Sequence, residues 1–187
     1  MAKQPQFEKE NLNYVMETFK NGIDAARKFF NYDKSNPIEI AISNFDARVP
    51  VYFHDTGKIG LPLKFLQQYI AKGIPLERLK TKSVEIGTIM SQERKVPFPN
   101  WLTAAGIEET THLLQDRGHS PLVQPIPTWP GYTRLSKLHM ALSAHEVEAR
   151  EYADKILPTI GMPPMWAEID DYLKSKHPDL YGKPVGP

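Results

Sequence analysis

The placement of proline is the strongest constraint on what this chain can fold into. Seventeen of its 187 residues are proline, and four of them fall within residues 120–132, at positions 121, 125, 127 and 130. Proline lacks a backbone N–H and has a fixed φ, so neither a helix nor a central strand continues through such a segment. We therefore expect an ordered loop there. Together with several short candidate strands, the prolines favour an α+β fold over a long helical bundle.

Hydrophobic spacing predicts helices and short strands before this loop. Apolar residues recur at helical spacing in some segments and alternate, as in half-buried strands, in others. The predicted elements are helices over residues 7–30 and 61–72, strands over residues 38–43, 49–53 and 84–89, and a turn at residues 55–57. A small mixed sheet with an N-terminal helix is the expected result.

Two further helices are predicted on either side of the proline-rich loop. Prolines suit the entrance of the first, which runs to about Asp116 and which Gly118 would close. The second is expected over residues 135–157 with a break near Ser143, and a short helix follows over residues 165–176. The helix before the loop and the helix after it each contain one of the two motifs described below.

Length and termini favour one domain without a targeting segment. We expect residues 1–187 to form a single domain, with an N-terminal helix in residues 1–37, a core in residues 38–158, and a C-terminal helical extension and tail in residues 159–187. The N-terminus lacks the apolar region of a signal peptide, and no apolar run of 18 residues occurs. A cytoplasmic protein is expected, and the sequence leaves the oligomeric state open.

Composition excludes several kinds of partner and site. The chain has 23 basic and 22 acidic residues scattered along it, for a net charge of +1. Neither nucleic acid nor an anionic membrane is therefore expected as a partner. Because the chain has no cysteine, it forms neither a disulfide nor a thiolate metal site.

The first chemical motif is Gly106-Ile-Glu-Glu-Thr-Thr-His112, in the middle of a predicted helix. Residues four apart share a helix face, so Glu108 and His112 lie together, with Glu109 one position further round. This is the spacing of a metal-binding HExxH helix whose first histidine is replaced by glutamate. Glu108 and His112 would then be metal ligands, and Glu109 the general base that activates water.

An ordinary exposed helix surface is the alternative interpretation of this motif, because acidic pairs are common on helices. Two observations favour a covered helix instead. Threonines at positions 110 and 111 lower the helix propensity, and apolar residues flank the motif at positions 101, 102, 107, 113 and 114. Buried carboxylates need a cation or a network of hydrogen-bond donors.

The second motif runs from Ser143 to Asp154 and could supply a further carboxylate from another helix. Three converging ligands with an acid beside them are the minimum for a catalytic metal site. The alternative is a capping box, in which Glu146 bonds back to the backbone of Ser143 at the helix start. The other charged residues would then form a solvated face: Glu148, Arg150, Glu151, Asp154 and Lys155.

The second motif resembles the third-ligand helix of the minimal gluzincins, the ImmA/IrrE-like zinc metallopeptidases. The matching positions are Glu146, Ala149, Tyr152, Ala153 and Pro158. In that family an edge strand leads into an Ala-His-Glu-x-x-His helix, which is similar to residues 84–89 followed by Ala105-Gly-Ile-Glu-Glu-Thr-Thr-His112. The resemblance covers roughly residues 38–158.

A minimal zincin-like domain with peptidase activity is what this resemblance implies. It implies Glu108, His112 and Glu146 as metal ligands, Glu109 as general base, zinc as the cofactor, and a peptide or protein as substrate or partner. Candidate supporting residues are Tyr132, His119 and His139, which could donate a hydrogen bond to a developing oxyanion. A purely structural role is the preferred interpretation of all three.

Glu108 stands where the family has histidine, and this departure has chemical consequences. A carboxylate in place of a neutral imidazole lowers the charge of the site by one unit, so a bound metal would acidify its water less. Peptide hydrolysis is then expected to be slow or absent. The oxygen-rich ligand set also makes Mn or Fe(II) reasonable alternatives to zinc. His139 or His145 could replace Glu108 as a ligand.

Two functions of other classes remain open. The chain could be an inactive zincin-like binding or inhibitory protein, for example of phage, plasmid or host-defence origin, since the altered ligand position is what loss of catalysis would leave. Glu109-Thr-Thr-His112 also matches the Glu-x-x-His of a ferritin-like di-iron bundle. No second Glu-x-x-His occurs in the sequence, which disfavours the di-iron site.

Overall fold

The computed structural model describes residues 4–43, 50–62, 67, 80–82, 95–127 and 136–185. Within these residues the chain forms helices and short strands in the proportions of an α+β fold, as predicted. The helices are α1 (Gln4–Phe29), α2 (Phe98–Asp116), α3 (Lys137–Leu142), α4 (Ala144–Ile156) and α5 (Ala167–Lys176), with a 3₁₀ turn at Leu157–Ile160. The strands are β1 (Ile40–Ser43), β2 (Val51–Phe53), β3 (Lys58–Pro62), β4 (Lys80–Lys82) and β5 (Lys95–Pro97).

The larger sheet is small and mixed. Its strand order is β1-β3-β2, with β3 parallel to β1 and antiparallel to β2. Ile59 and Leu61 of the central strand are fully buried, so the sheet turns an apolar face to the core. β4 and β5 form a separate antiparallel ribbon, and β5 leads directly into α2. This confirms the expected small mixed sheet.

Helices α1 and α2 cross at a contact between two glycines. A Cβ atom at Gly106 would overlap the backbone carbonyl oxygen of Phe19, and one at Gly22 would overlap that of Thr103. The apolar stripe of α1, which includes Val15 and Phe19, is buried against α2. Because backbone meets backbone here, the position of α2 is fixed two residues before Glu108.

The C-terminal residues belong to the same hydrophobic core as the rest. Met165, Trp166, Ile169 and Leu173 are buried in a cluster that also contains side chains of α1, β3 and α2. Asp154 of α4 accepts the backbone N–H groups of residues 165, 166 and 167 at 2.6–3.0 Å. These bonds satisfy free donors at the start of α5, so the segment from residue 159 completes the core.

Several predicted elements agree closely with the structure and one does not. The first helix, the strands at β1 and β2, the helix ending at Asp116 and the break at Ser143 are all confirmed. The helix predicted from residue 61 is wrong at its start, because residues 61 and 62 pair with β1 as the end of β3. Most of its remainder, and the whole predicted strand at residues 84–89, lie outside the described residues.

The proline-rich segment contains neither helix nor strand in its described part, residues 120–127. This confirms the predicted loop up to residue 127, and residues 128–132 lie outside the described part. Across the described ranges, no helix is both long enough and apolar enough to cross a bilayer.

Candidate metal centre

Helix α2 is covered over most of its surface, which excludes the exposed-helix interpretation of the first motif. His112 is buried, with 7% of its surface exposed, and Glu108 and Glu109 are partly buried. The hydroxyls of Thr110 and Thr111 donate to the carbonyl oxygens one turn earlier at 2.7 and 2.9 Å. The hydroxyl hydrogens of both threonines are therefore used within the helix and are not donated to Glu108 or Glu109.

Helix α4 brings Glu146 to the same place. Its carboxylate lies 3.5 Å from Nε2 of His112 through one oxygen and 3.5 Å from Nε2 of His145 through the other. The capping-box interpretation is wrong: Ser143 makes no side-chain cap bond to α4, and its hydroxyl donates to the carbonyl of Met140 at 2.5 Å. Glu146 therefore faces histidines rather than the helix start.

The start of α4 is completed by the C-terminal segment of the chain. The backbone N–H of Ala144 donates to the carbonyl of Lys183 at 3.0 Å, and the N–H of Gly182 donates to the carbonyl of Leu142 at 2.8 Å. Ser143 and Lys183 form a parallel bridge. One of the free donors at the helix start is thus satisfied by the main chain.

Glu108, His112 and Glu146 form a group that could hold a divalent metal ion. Each offers one ligand atom, and these atoms all lie within 4.8 Å of one another. Metal–ligand distances of about 2.0–2.2 Å place ligand atoms roughly 3–4 Å apart, so a small adjustment would suffice. Two carboxylates and one imidazole are ligands suited to zinc, Mn and Fe(II).

Charge is poorly balanced at this group without a cation. Burial and the neighbouring Glu146 carboxylate raise the pKa of Glu108 to about 7. Burial raises the pKa of Glu109 to about 8, with Glu108 and Glu146 adding to it against the opposing effect of His112. The metal-free site therefore retains protons on carboxyl groups that would normally be ionised at neutral pH.

His112 and Glu146 form the one strongly ionised pair of this cluster. Burial lowers the pKa of His112, but the Glu146 carboxylate outweighs it and raises the pKa to about 10. Burial likewise favours neutral Glu146, yet the His112 imidazolium holds its pKa well below the usual range. A metal ion would replace the proton on His112 as the partner of Glu146.

Metal binding should therefore release protons. At pH 7.5 we expect about one to two protons per ion, chiefly from His112 and the two raised carboxyls, falling to about one at pH 9 where the carboxyls are already ionised. Affinity should rise with pH because proton competition for the ligands weakens. Calorimetric zinc titrations in two buffers of different ionisation enthalpy measure the proton count. Identical heats in both buffers at pH 7.5 would contradict this charge assignment.

Glu109 lies beside the group but is also attached to the sheet. Its carboxylate accepts the backbone N–H of Tyr52 in β2 at 2.5 Å. Two helical turns later, Asp116 accepts the Tyr52 hydroxyl at 2.6 Å and lies 2.6 Å from Nδ1 of His54. Strand β2 is thus fastened to one face of α2. The seven-residue spacing of Glu109 and Asp116 in the sequence indicates that they share a helix face. It does not indicate which strand packs against that face.

The candidate supporting residues lie apart from the group where the structure describes them. Nε2 of His119 is 2.9 Å from the carbonyl of Phe30, and its ring packs edge-on against Tyr32. His139 is exposed, with Nδ1 2.8 Å from the Ser136 hydroxyl. Tyr132 lies outside the described residues. His145 is buried against the site, its ring 5.7 Å from that of His112, but it is not one of the three converging ligands.

The charged face predicted for α4 is partly buried. Arg150 is 4% exposed and pairs with Asp170 at 2.7 Å while also donating to the Ala141 carbonyl. Glu148 is 8% exposed and accepts hydrogen bonds from Gln115 and from the backbone of the proline-rich loop. Sequence reasoning missed both, because a charged residue on a helix looks solvated unless its partner is known.

A cavity of about 540 Å³ lies next to this site. It is bordered on one side by Asp116, Ala144 and His145 and on the other by residues 124–127 and 184–185. Its volume is within the range of ligand pockets. The described part of the proline-rich loop therefore forms a wall close to the candidate ligands.

Comparisons of the chain with protein-family models, with curated proteins and with solved structures gave no match. The resemblance to minimal gluzincins therefore stays a prediction. Any functional proposal for this chain rests on the geometry of Glu108, His112 and Glu146.

Proposed function

We propose that this protein is a metal-dependent, peptidase-like hydrolase that uses an EExxH helix and a glutamate from a second helix. The observation that carries the proposal is the convergence of Glu108, His112 and Glu146 to within 4.8 Å on two packed helices. Glu109, next to Glu108, supplies the remaining acid. Zinc is the preferred ion, and a peptide or protein is the proposed substrate.

In the proposed reaction Glu108, His112 and Glu146 hold the ion, and when bound the ion supplies Lewis-acid activation of water and of the substrate carbonyl. Glu109 accepts the proton of the attacking water. One of its carboxylate oxygens is held by the Tyr52 N–H, which leaves the other oxygen to take the proton. Burial and neighbouring carboxylates raise the pKa of Glu109 to about 8 in the metal-free site, so its carboxyl group is largely protonated at neutral pH. A cation bound nearby would lower this pKa and leave Glu109 ionised, as a general base must be.

The two ligand carboxylates also limit the rate. They balance the double charge of the ion, which reduces its power to acidify water compared with a site containing two histidines. We expect slow turnover, and the oxygen-rich ligands leave Mn or Fe(II) as working substitutes. Cleavage should therefore be assayed with each of the three metals.

Glu109→Gln separates catalysis from metal binding. We expect it to retain stoichiometric metal, because Glu109 is not a ligand, and to lose peptide cleavage by about 10²–10⁴-fold, the usual contribution of a general base. A fluorescent peptide library with metal analysis on the same samples measures both. Glu151→Gln, an exposed change on α4, is the control. Wild-type cleavage that persists in Glu109→Gln would rule out the general-base role.

A binding or inhibitory protein without turnover is the second candidate. Glu108 in a ligand position and the 2.5 Å hydrogen bond between Glu109 and the Tyr52 backbone favour it, since both reduce the capacity of the site to activate water. In this case the metal would stabilise a surface for a protein partner. Stoichiometric metal with no cleavage under zinc, Mn or Fe(II) would favour this function.

A further inference from the structure

Gln115 lies between the candidate ligand His112 and the helix that carries Glu146. It is buried, with 3% of its surface exposed. Its Oε1 is 2.9 Å from Nδ1 of His112. Its Nε2 donates to the backbone carbonyl of His145 and to the Glu148 carboxylate, each at 2.9 Å. One side chain therefore joins the two ligand-bearing helices.

The partners of Gln115 determine which way round its amide lies. A carbonyl oxygen and a carboxylate only accept hydrogen bonds, and the amide nitrogen has two hydrogens to give them. If the amide were reversed, its oxygen would face the His145 carbonyl and the Glu148 carboxylate, and neither would receive a hydrogen bond from Gln115. Oε1 therefore faces His112, and Nδ1 of His112 must carry a hydrogen.

A hydrogen on Nδ1 leaves Nε2 of His112 as the ligand atom. Nε2 is also the nitrogen that lies 3.5 Å from the Glu146 carboxylate, on the side of the candidate metal. The hydrogen bond to Gln115 thus selects both the tautomer and the orientation that metal binding requires.

Glu148 holds Gln115 in this orientation. Its carboxylate is 8% exposed and also accepts the backbone N–H of Val123 at 3.0 Å and of Gln124 at 3.1 Å. Gln124 is also the first residue of the loop that borders the cavity beside the site. The carboxylate is therefore fixed by donors from a loop and in turn fixes the amide.

We propose that Gln115 and Glu148 are positioning residues for the metal ligand His112, in which Gln115 directs Nε2 to the ion and Glu148 directs Gln115. The inference rests on the proposed function and its metal site. Groups that hold a ligand histidine by its other nitrogen typically contribute 10–100-fold to metal affinity. The connection also makes that affinity depend on the backbone of residues 123 and 124.

Zinc titration of Gln115→Leu tests the proposal. We expect the zinc Kd to rise about 10–100-fold. Glu148→Gln should weaken binding as well, because either orientation of its amide sets an NH₂ group against one of the donors. Thr111→Val is the matched control: Thr111 is buried on the same helix, and the change removes a hydrogen bond of its own, to Ile107, that does not involve His112. It should bind zinc as the wild type does.

Nitrogen-15 spectra of the His112 ring add a readout that general loosening would not produce. Zinc-bound wild type and Thr111→Val should show a single, slowly exchanging Nδ1–H form, and in Gln115→Leu this hydrogen should exchange rapidly with water or the zinc should be bound partly through Nδ1. Equal affinity losses in Gln115→Leu and Thr111→Val with unchanged ring signals would overturn the proposal. If wild type binds none of zinc, Mn and Fe(II), the proposed function fails. The metal-free ring still decides this inference, because the Nδ1–H bonded to Gln115 should exchange slowly with water. Fast exchange of this hydrogen only in Gln115→Leu supports the inference, and slow exchange kept in Gln115→Leu refutes it.

Discussion

Glu146→Gln should bind zinc about a thousandfold more weakly than wild type. Structural zinc sites contribute roughly 10–16 kcal/mol, so the loss of one ligand in three and its charge costs on the order of 4 kcal/mol, or about three powers of ten in Kd. Glutamine has the same shape as glutamate, so packing of the partly buried side chain is preserved. Competition titrations against a zinc chelator, with metal analysis of the purified protein, measure the loss.

Glu151→Gln is the control for this prediction, because Glu151 is an exposed carboxylate on the same helix. It should bind zinc as wild type does. Glu146→Gln also removes the charge partner of His112, so the thermal stability of both metal-free variants should be measured alongside. Stoichiometric, tightly held zinc in a folded Glu146→Gln protein would show that the ligand assignment is wrong.

Gly106→Ala should destabilise the fold by about 3 kcal/mol or more, through overpacking that side-chain rotation cannot relieve. The added Cβ would meet the backbone carbonyl oxygen of Phe19, so α1 and α2 must move apart. A change of this size lowers the Tm of a protein of this length by roughly 6–12 °C. Thermal denaturation followed by circular dichroism measures it.

Gly57→Ala provides the comparison, because Gly57 has φ +66° with no atom near its missing Cβ. It should cost only about 1–2 kcal/mol, the penalty of a left-handed backbone for alanine. The ratio of the two effects distinguishes a steric crossing from a conformational preference. A Gly106→Ala protein as stable as wild type would mean that α1 and α2 do not approach as closely as described.

The local parts of this fold could be read from the sequence because helix periodicity is a local signal. The stripe on α1, the helix that ends at Asp116 and the break at Ser143 all follow from residues within one or two turns. The strand at residues 61 and 62 could not be read in this way. Its conformation depends on a parallel partner about twenty residues earlier, and such long-range pairing leaves no local trace.

The candidate site shows the same division. Glu108 and His112 share a helix face by spacing alone, whereas the approach of Glu146 was only implied by a family resemblance. Gln115 follows His112 by three residues, a spacing that allows contact, but its role depends on Glu148 from another helix. Hydrogen-bond partners from distant elements turn ordinary polar residues into parts of a site, and spacing cannot identify them.

The bonds between α4 and the C-terminal segment have a consequence for how the site matures during synthesis. The N–H of Ala144, two residues before Glu146, is bonded to the carbonyl of Lys183. A nascent chain that has passed the candidate ligand Glu146 still lacks the carbonyl that accepts this N–H at the start of α4. We expect this bond to form only after residue 183 has been synthesised, so a chain that stops before it should hold the proposed metal ion more weakly than the full chain does.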